Sequence, residues 1–86
     1  MQNNDSQLVV SRFFEALHEL KSRRVIRGTS VFCRQHQINR RHLYLQEKEP
    51  WRDIVQLSWL TFLVQDYGVS ARWLLTGKGD MFDDPH

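Results

Sequence analysis

Residues 29–48, TSVFCRQHQINRRHLYLQEK, read as two short helices joined by a tight turn, and the rest of the chain has to be arranged around that pair. The apolar residues available there are Val31, Phe32, Cys33, Ile38, Leu43 and Leu45. Two helices crossing at a turn need apolar anchors on the first, a small residue at the crossing, an apolar residue just past the turn and another about five residues on. Phe32, Cys33, Ile38 and Leu43 fill those places. Asn39 then falls where an N-cap is wanted, so the second helix is expected to start at Arg40. Arg40, Arg41 and Tyr44 project from its N-terminal half, away from the Leu43 side. This is the layout of a helix-turn-helix, whose second helix exposes such side chains to base edges in the major groove of DNA.

On these residues the stretch resembles the helix-turn-helix of the lambda-repressor-like family, the phage Cro and repressor proteins and their small bacterial relatives. A second segment strengthens the resemblance. Tyr67 to Phe82, YGVSARWLLTGKGDMF, looks like the closing segment of a repressor subset ending W-L-L-T-G-x-G-x-M, and it is the more specific of the two. The resemblance implies an all-α, five-helix lambda-repressor-like domain with a central helix-turn-helix. Some positions depart from the family pattern. Gln37 occupies the turn position where glycine is usual, and a non-glycine residue in the left-handed region costs about 1 kcal/mol. His36 and Gln46 stand where apolar residues are usual, which predicts a wetter core edge.

A chain of 86 residues is read as one domain, 1–86, large enough for a modest core without metal or disulfide support. Its one cysteine excludes an internal disulfide and fits a cytoplasmic location. The first residues, MQNNDSQ, lack the basic and apolar regions of a signal peptide, and the densest apolar run, Leu57 to Val64, is too short to span a membrane.

The net charge of +2 is too small to name a partner, but its distribution is informative. Lys21, Arg23, Arg24, Arg27, Arg34, Arg40 and Arg41 fall between Glu19 and Glu47 with no intervening acid, whereas Asp80, Asp83 and Asp84 gather near the end. Such separation makes one basic face and points to double-stranded DNA.

Taken in order, the first helix is expected to follow a cap chosen from Asn4, Asp5 and Ser6 and to run to about Ser22. Val10, Phe13, Phe14, Leu17 and Leu20 recur at three- and four-residue steps and form a core stripe. His18 lies beside the stripe as a partly exposed residue. In the basic connection Lys21 to Gly28, Val25 or Ile26 anchors the loop, and Thr29 or Ser30 caps the next helix. Pro50 ends the third helix near Glu49. A fourth helix is expected over roughly Trp51 to Tyr67, with Leu57, Leu60, Leu63, Val64 and Tyr67 on one side and Val55, Trp59 and Phe62 on another. Gly68 closes it, Ser70 caps a short fifth helix containing Trp73, Leu74 and Leu75, and Gly77 and Gly79 end that helix.

Other chemistry finds little support. The segment TGKGD lacks the spacing of a phosphate-binding loop and follows a helix instead of a strand. Cys33, His36 and His42 make at most three ligands of a four-ligand zinc site, and Cys33 is better explained as a small core residue at the helix crossing, so no metal or cofactor is expected. No nucleophile has a paired histidine and orienting acid, and an enzyme is not expected.

The reading is therefore sequence-specific binding of duplex DNA by a repressor-like transcriptional regulator. Arg40 and Arg41 are the first candidates for base contacts, because arginine pairs bidentately with guanine, and Tyr44 is the third. Thr29, Ser30, Arg34, Asn39 and Lys48, with Arg23, Arg24 and Arg27 in the preceding connection, are candidates for phosphate contacts, Thr29 and Asn39 being favoured as helix N-termini. One such helix reads few base pairs, so a homodimer is expected, with Trp59, Phe62, Trp73 and Phe82 as contact candidates. The alternative is a protein-interaction module, such as the antitoxin of a toxin pair, which would show Trp51, Trp59 and Phe62 as one exposed patch.

The turn itself can be tested. If Gln37 closes the first helix of the pair in a left-handed conformation, Gln37→Gly stabilises the protein by several tenths of a kcal/mol up to about 1. Within a continuous helix the same substitution destabilises by a similar amount. The sign of the change in a denaturation midpoint distinguishes the two.

Overall fold

The computed structural model describes residues 4–83, and its longest element, α1 (Asn4–Ser22), is the surface on which the others assemble. Val10, Phe13, Phe14, Leu17 and Leu20 are all buried along one side of α1, as their spacing predicts, with Ala16 beside them. The remaining helices are α2 (Thr29–His36), α3 (Arg40–Lys48), α4 (Leu57–Tyr67) and α5 (Ala71–Thr76). Helices α3, α4 and α5 each pack on α1, and α2 packs on α3. Phe13 anchors this arrangement. Its ring meets Phe14 edge-on at 5.0 Å and lies 5.9 Å from the indole of Trp59 on α4. Among the described residues there is no β-strand, only an antiparallel bridge between Val69 and Phe82. Among the described residues no helix is long and apolar enough to cross a membrane.

Helices α1 and α2 end in the same way. At the end of α2, Gln37 is left-handed (φ 57°, ψ 40°), its N–H reaches the Arg34 carbonyl at 3.4 Å, and the N–H of Ile38 donates to the Cys33 carbonyl at 2.8 Å. That pair of bonds is a Schellman motif, and Ile38 and Cys33 are both buried beside it. Gln37 thus adopts the geometry for which Gln37→Gly is expected to be stabilising. At the end of α1, Arg24 is left-handed (φ 62°), with Arg24 N–H donating to Lys21 O at 3.0 Å and Val25 N–H to Leu20 O at 2.9 Å. Helices α4 and α5 end on left-handed glycines, Gly68 and Gly77. Ser70 caps α5, its hydroxyl oxygen accepting from Trp73 N–H at 3.2 Å.

Several expectations are corrected. Asn4, Asp5 and Ser6 lie inside α1, so none is its cap; the preceding position, like Asp84, is outside the described residues. Gly28, not Thr29 or Ser30, occupies the N-cap position of α2, and no side chain caps that end. Helix α4 begins at Leu57 instead of Trp51. Its inward face is Trp59 and Leu63, while Leu57 is 82% exposed. Trp59, at 4% exposure, is therefore core and no dimer contact, because the five helices need its indole to fill the space beside Phe13. Trp73 is also in the core. Phe62 is half-buried against His36 and Trp51 is exposed, so the single exposed Trp51–Trp59–Phe62 patch that an interaction module would show is not formed.

The late start of α4 has a specific cause. Gln46, on the inner face of α3, is 0% exposed. Its Oε1 accepts from the backbone N–H groups of Ile54 and Val55 at 2.8 and 2.9 Å, and its Nε2 donates to the carbonyl of Arg52 at 2.8 Å. Those backbone groups cannot join a helical ladder while the Gln46 amide holds them. The place expected to be wet is dry and hydrogen-bonded. His36 makes a similar correction: its ring stacks on Phe62 at 4.5 Å, lies 4.8 Å from Phe32, and its Nε2 is 3.0 Å from the Tyr67 hydroxyl. Burial, with the Asp66 carboxylate adding to it, holds the Tyr67 hydroxyl above its ordinary pKa.

Gln46→Leu keeps the volume and removes the amide, leaving two buried N–H groups and a carbonyl without partners. Urea denaturation is expected to show a loss of about 2–4 kcal/mol.

Candidate nucleic-acid interface

Helix α3 is fixed from both ends and from beneath, which determines what it shows to solvent. Asn39 caps it, its side-chain oxygen accepting from His42 N–H at 3.2 Å, as its position in the sequence predicts. Leu43 and Gln46 are buried and Leu45 is half-buried, so Arg40, Arg41, His42, Tyr44, Glu47 and Lys48 are left outward. Tyr44 is 62% exposed, a large aromatic side chain held in water. Arg41, His42, Tyr44, Leu45 and Lys48 line one shallow depression. His42, between Arg41 and Tyr44, is exposed on the same face, away from Cys33. Cys33 faces the core beneath. Burial pushes its thiol above its ordinary pKa, against a smaller opposing effect of the Arg40 guanidinium, so the thiol stays protonated and unreactive at neutral pH.

The α1–α2 connection forms a second cationic region. Ile26 is buried and pins the loop, whereas Val25 is exposed, which resolves the choice between them as an anchor. Around Ile26 two adjoining concavities share Arg27; one adds Val25, Val31, Arg34 and Gln35, and the other adds Lys21 and Arg24. Lys21, Arg24, Arg27 and Arg34 are thus brought together with no acid in the lining. Lys21 belongs to this group, beside the arginines expected at phosphates. Thr29 is half-buried and Ser30 exposed at the start of α2.

Arg23 is placed differently. Its Nε donates to Glu19 Oε2 at 2.7 Å, and its guanidinium carbon lies 4.4 Å from the centroid of the Phe82 ring. Phe82 is half-buried beneath it and tied to Val69, so both residues help to close the fold. His18, on α1, shares a bond of 2.6 Å with Glu47 on α3, linking the two helices at an exposed edge. The described residues hold no group of three or more His, Cys, Asp or Glu side chains placed to share a metal ion.

No protein-family model, curated protein or solved structure matches the chain.

The two neighbouring arginines are expected to respond oppositely. Arg23→Ala loses a cation–π contact and an exposed ion pair and should destabilise by about 1 kcal/mol. Arg24→Gly removes a left-handed side chain and should stabilise by up to about 1 kcal/mol. Paired thermal or urea melts measure both.

Proposed function

We propose that this protein binds duplex DNA sequence-specifically, with α3 in the major groove, and acts as a transcriptional regulator. The observation that carries the reading is the exposed face of α3. Arg40, Arg41 and Tyr44 stand outward on a helix whose cap, buried Leu43 and buried Gln46 fix its rotation. A site that reads base edges needs side chains presented from a rigid element, because a guanine contact depends on the angle of approach. In this reading α2 and α3 are the two members of a helix-turn-helix and Gln37 is its turn.

Arg40 and Arg41 pair with guanine O6 and N7, and Tyr44 contacts a thymine methyl, a base edge or a phosphate. The cationic concavities supply sequence-independent attraction: Lys21, Arg24, Arg27 and Arg34 face the phosphate backbone, with Ser30, Thr29, Asn39 and Lys48 at the helix ends. Arg23 is left to stability. Fixed position and diffuse charge have separate consequences, since base contacts set the preferred sequence while phosphate contacts set salt dependence.

Titrating the protein with a random duplex pool, and then with the sequences it selects, tests this. If four to six phosphates are neutralised, log affinity falls against log salt with a slope of roughly −4 to −5. Arg40→Ala or Arg41→Ala should cost about 1–3 kcal/mol on the selected site and less on random DNA, while Arg24→Ala or Arg27→Ala weakens both nearly equally. No binding at low salt, or a slope near zero, defeats the reading.

A further inference from the structure

The outward face of α3 offers a base pair a restricted set of groups. Arg40, Arg41, His42, Tyr44, Glu47 and Lys48 are exposed along it. The acid among them is engaged, because the Glu47 carboxylate sits 2.6 Å from His18 Nε2 on α1. The two amide side chains at hand are engaged as well. Asn39 commits its oxygen to the His42 N–H as the cap of α3, and the buried Gln46 amide is held by the backbone of residues 52–55. What stays free on this helix is cationic or apolar. The two kinds meet in the depression lined by Arg41, His42, Tyr44, Leu45 and Lys48, where the exposed Tyr44 ring stands beside the half-buried Leu45.

We infer that this depression receives the 5-methyl group of a thymine, and that α3 reads a guanine and a thymine that are adjacent or one base pair apart. The assignment rests on the DNA reading and extends it from the helix that reads to the bases that are read. Each major-groove edge asks for different partners. Cytosine presents an amino donor and calls for a carboxylate, and adenine calls for the paired acceptor and donor of an amide. On α3 both of those are already committed. Guanine presents two acceptors, which suit the Arg41 guanidinium, and thymine presents one acceptor and the C5 methyl, an apolar group. A methyl set against Tyr44 and Leu45 leaves water at a gain, whereas an amino or carbonyl group placed there would lose a hydrogen bond to water.

Helix geometry sets the distance between the two bases. Tyr44 and Leu45 follow Arg41 by three and four positions, which is roughly 4.5 and 6 Å along the helix axis. Stacked base pairs are about 3.4 Å apart. A helix lying along the groove therefore sets its guanidinium and its apolar hollow one to two base pairs from each other. Buried Leu43 and Gln46 hold the rotation that presents both at once.

Uracil substitution tests the assignment, because deoxyuridine in place of thymidine deletes the methyl and keeps every hydrogen-bonding group. In the duplex that the full chain selects from a random pool, each thymine is replaced singly and affinity is read by fluorescence anisotropy. Uracil at a thymine within about two base pairs of the guanine whose recognition Arg41→Ala abolishes is expected to weaken binding about threefold to fivefold. At other thymines the constant should stay within about twofold. Tyr44→Ala should bind the thymine and uracil duplexes alike, and Tyr44→Phe, which keeps the ring, should still tell them apart. Tyr44 is exposed, and an unchanged far-UV circular dichroism spectrum establishes that each variant is folded. Tight binding that no uracil weakens, a methyl preference that Tyr44→Ala leaves intact, or one that Tyr44→Phe abolishes overturns the assignment and leaves the DNA reading standing. Failure to bind any duplex refutes the DNA reading and the assignment with it.

Discussion

The buried amide of Gln46 sets the relation between α3 and everything that follows it. An amide taken out of water is costly unless its lone pairs and protons all find partners, and here the backbone of residues 52–55 provides them. The same bonds stop that backbone from coiling into α4. One side chain thereby delays the start of α4, shapes the loop that carries Trp51, and locks the rotation of α3 about its own axis. Leu43 alone could be accommodated over a range of rotations, because apolar contact is non-directional; hydrogen bonds are not. The outward arc of α3 is fixed by what lies on its inward side.

The same reasoning explains two departures from glycine. Left-handed residues at the ends of α1 and α2 are Arg24 and Gln37, each with a Schellman pair of bonds and a buried residue nearby to hold the chain in place. Where α4 and α5 end, glycine is used. At Gly77 a Cβ would stand 3.1 Å from an Arg12 guanidinium nitrogen, so crowding adds to conformation there. At Arg24 the left-handed conformation keeps a third cation in the loop between α1 and α2, beside Arg23 and Arg27.

Five helices and most of their ends were legible in the sequence because they rest on local signals: the Val10–Leu20 stripe, Asn39 and Ser70 as caps, Gly68 and Gly77 as stops, and the four apolar places of the α2–α3 pair. The exposure of Arg41 and Tyr44 followed from the burial of Leu43 by helical periodicity, whereas Arg40, three residues before Leu43 and nearer its side, is exposed as the first residue of α3. What could not be read was non-local. Trp51 to Gln56 have no feature that forbids helix; the partner that diverts them is a glutamine on the preceding helix. Periodicity placed Trp59 and Leu57 on different stripes of α4 but could not say which one faces Phe13. Arg23 and Arg24 are identical in composition and adjacent, and only the fold separates a residue lying over Phe82 from one facing solvent.

Arg12 closes the molecule on itself. Its guanidinium, on the third turn of α1, donates from Nε to the Leu74 carbonyl at 2.8 Å and from Nη2 to the Leu75 carbonyl at 3.1 Å, placing a cation on the carbonyl end of the last helix. The contact joins residues 62 positions apart. During synthesis the stripe of phenylalanines and leucines on α1 is covered in stages, by α3, then by α4 with Trp59, and last by α5. Folding of this small helical protein is therefore governed by its ends: the α2–α3 pair can form early and locally, but the core closes only when the first helix and the last meet.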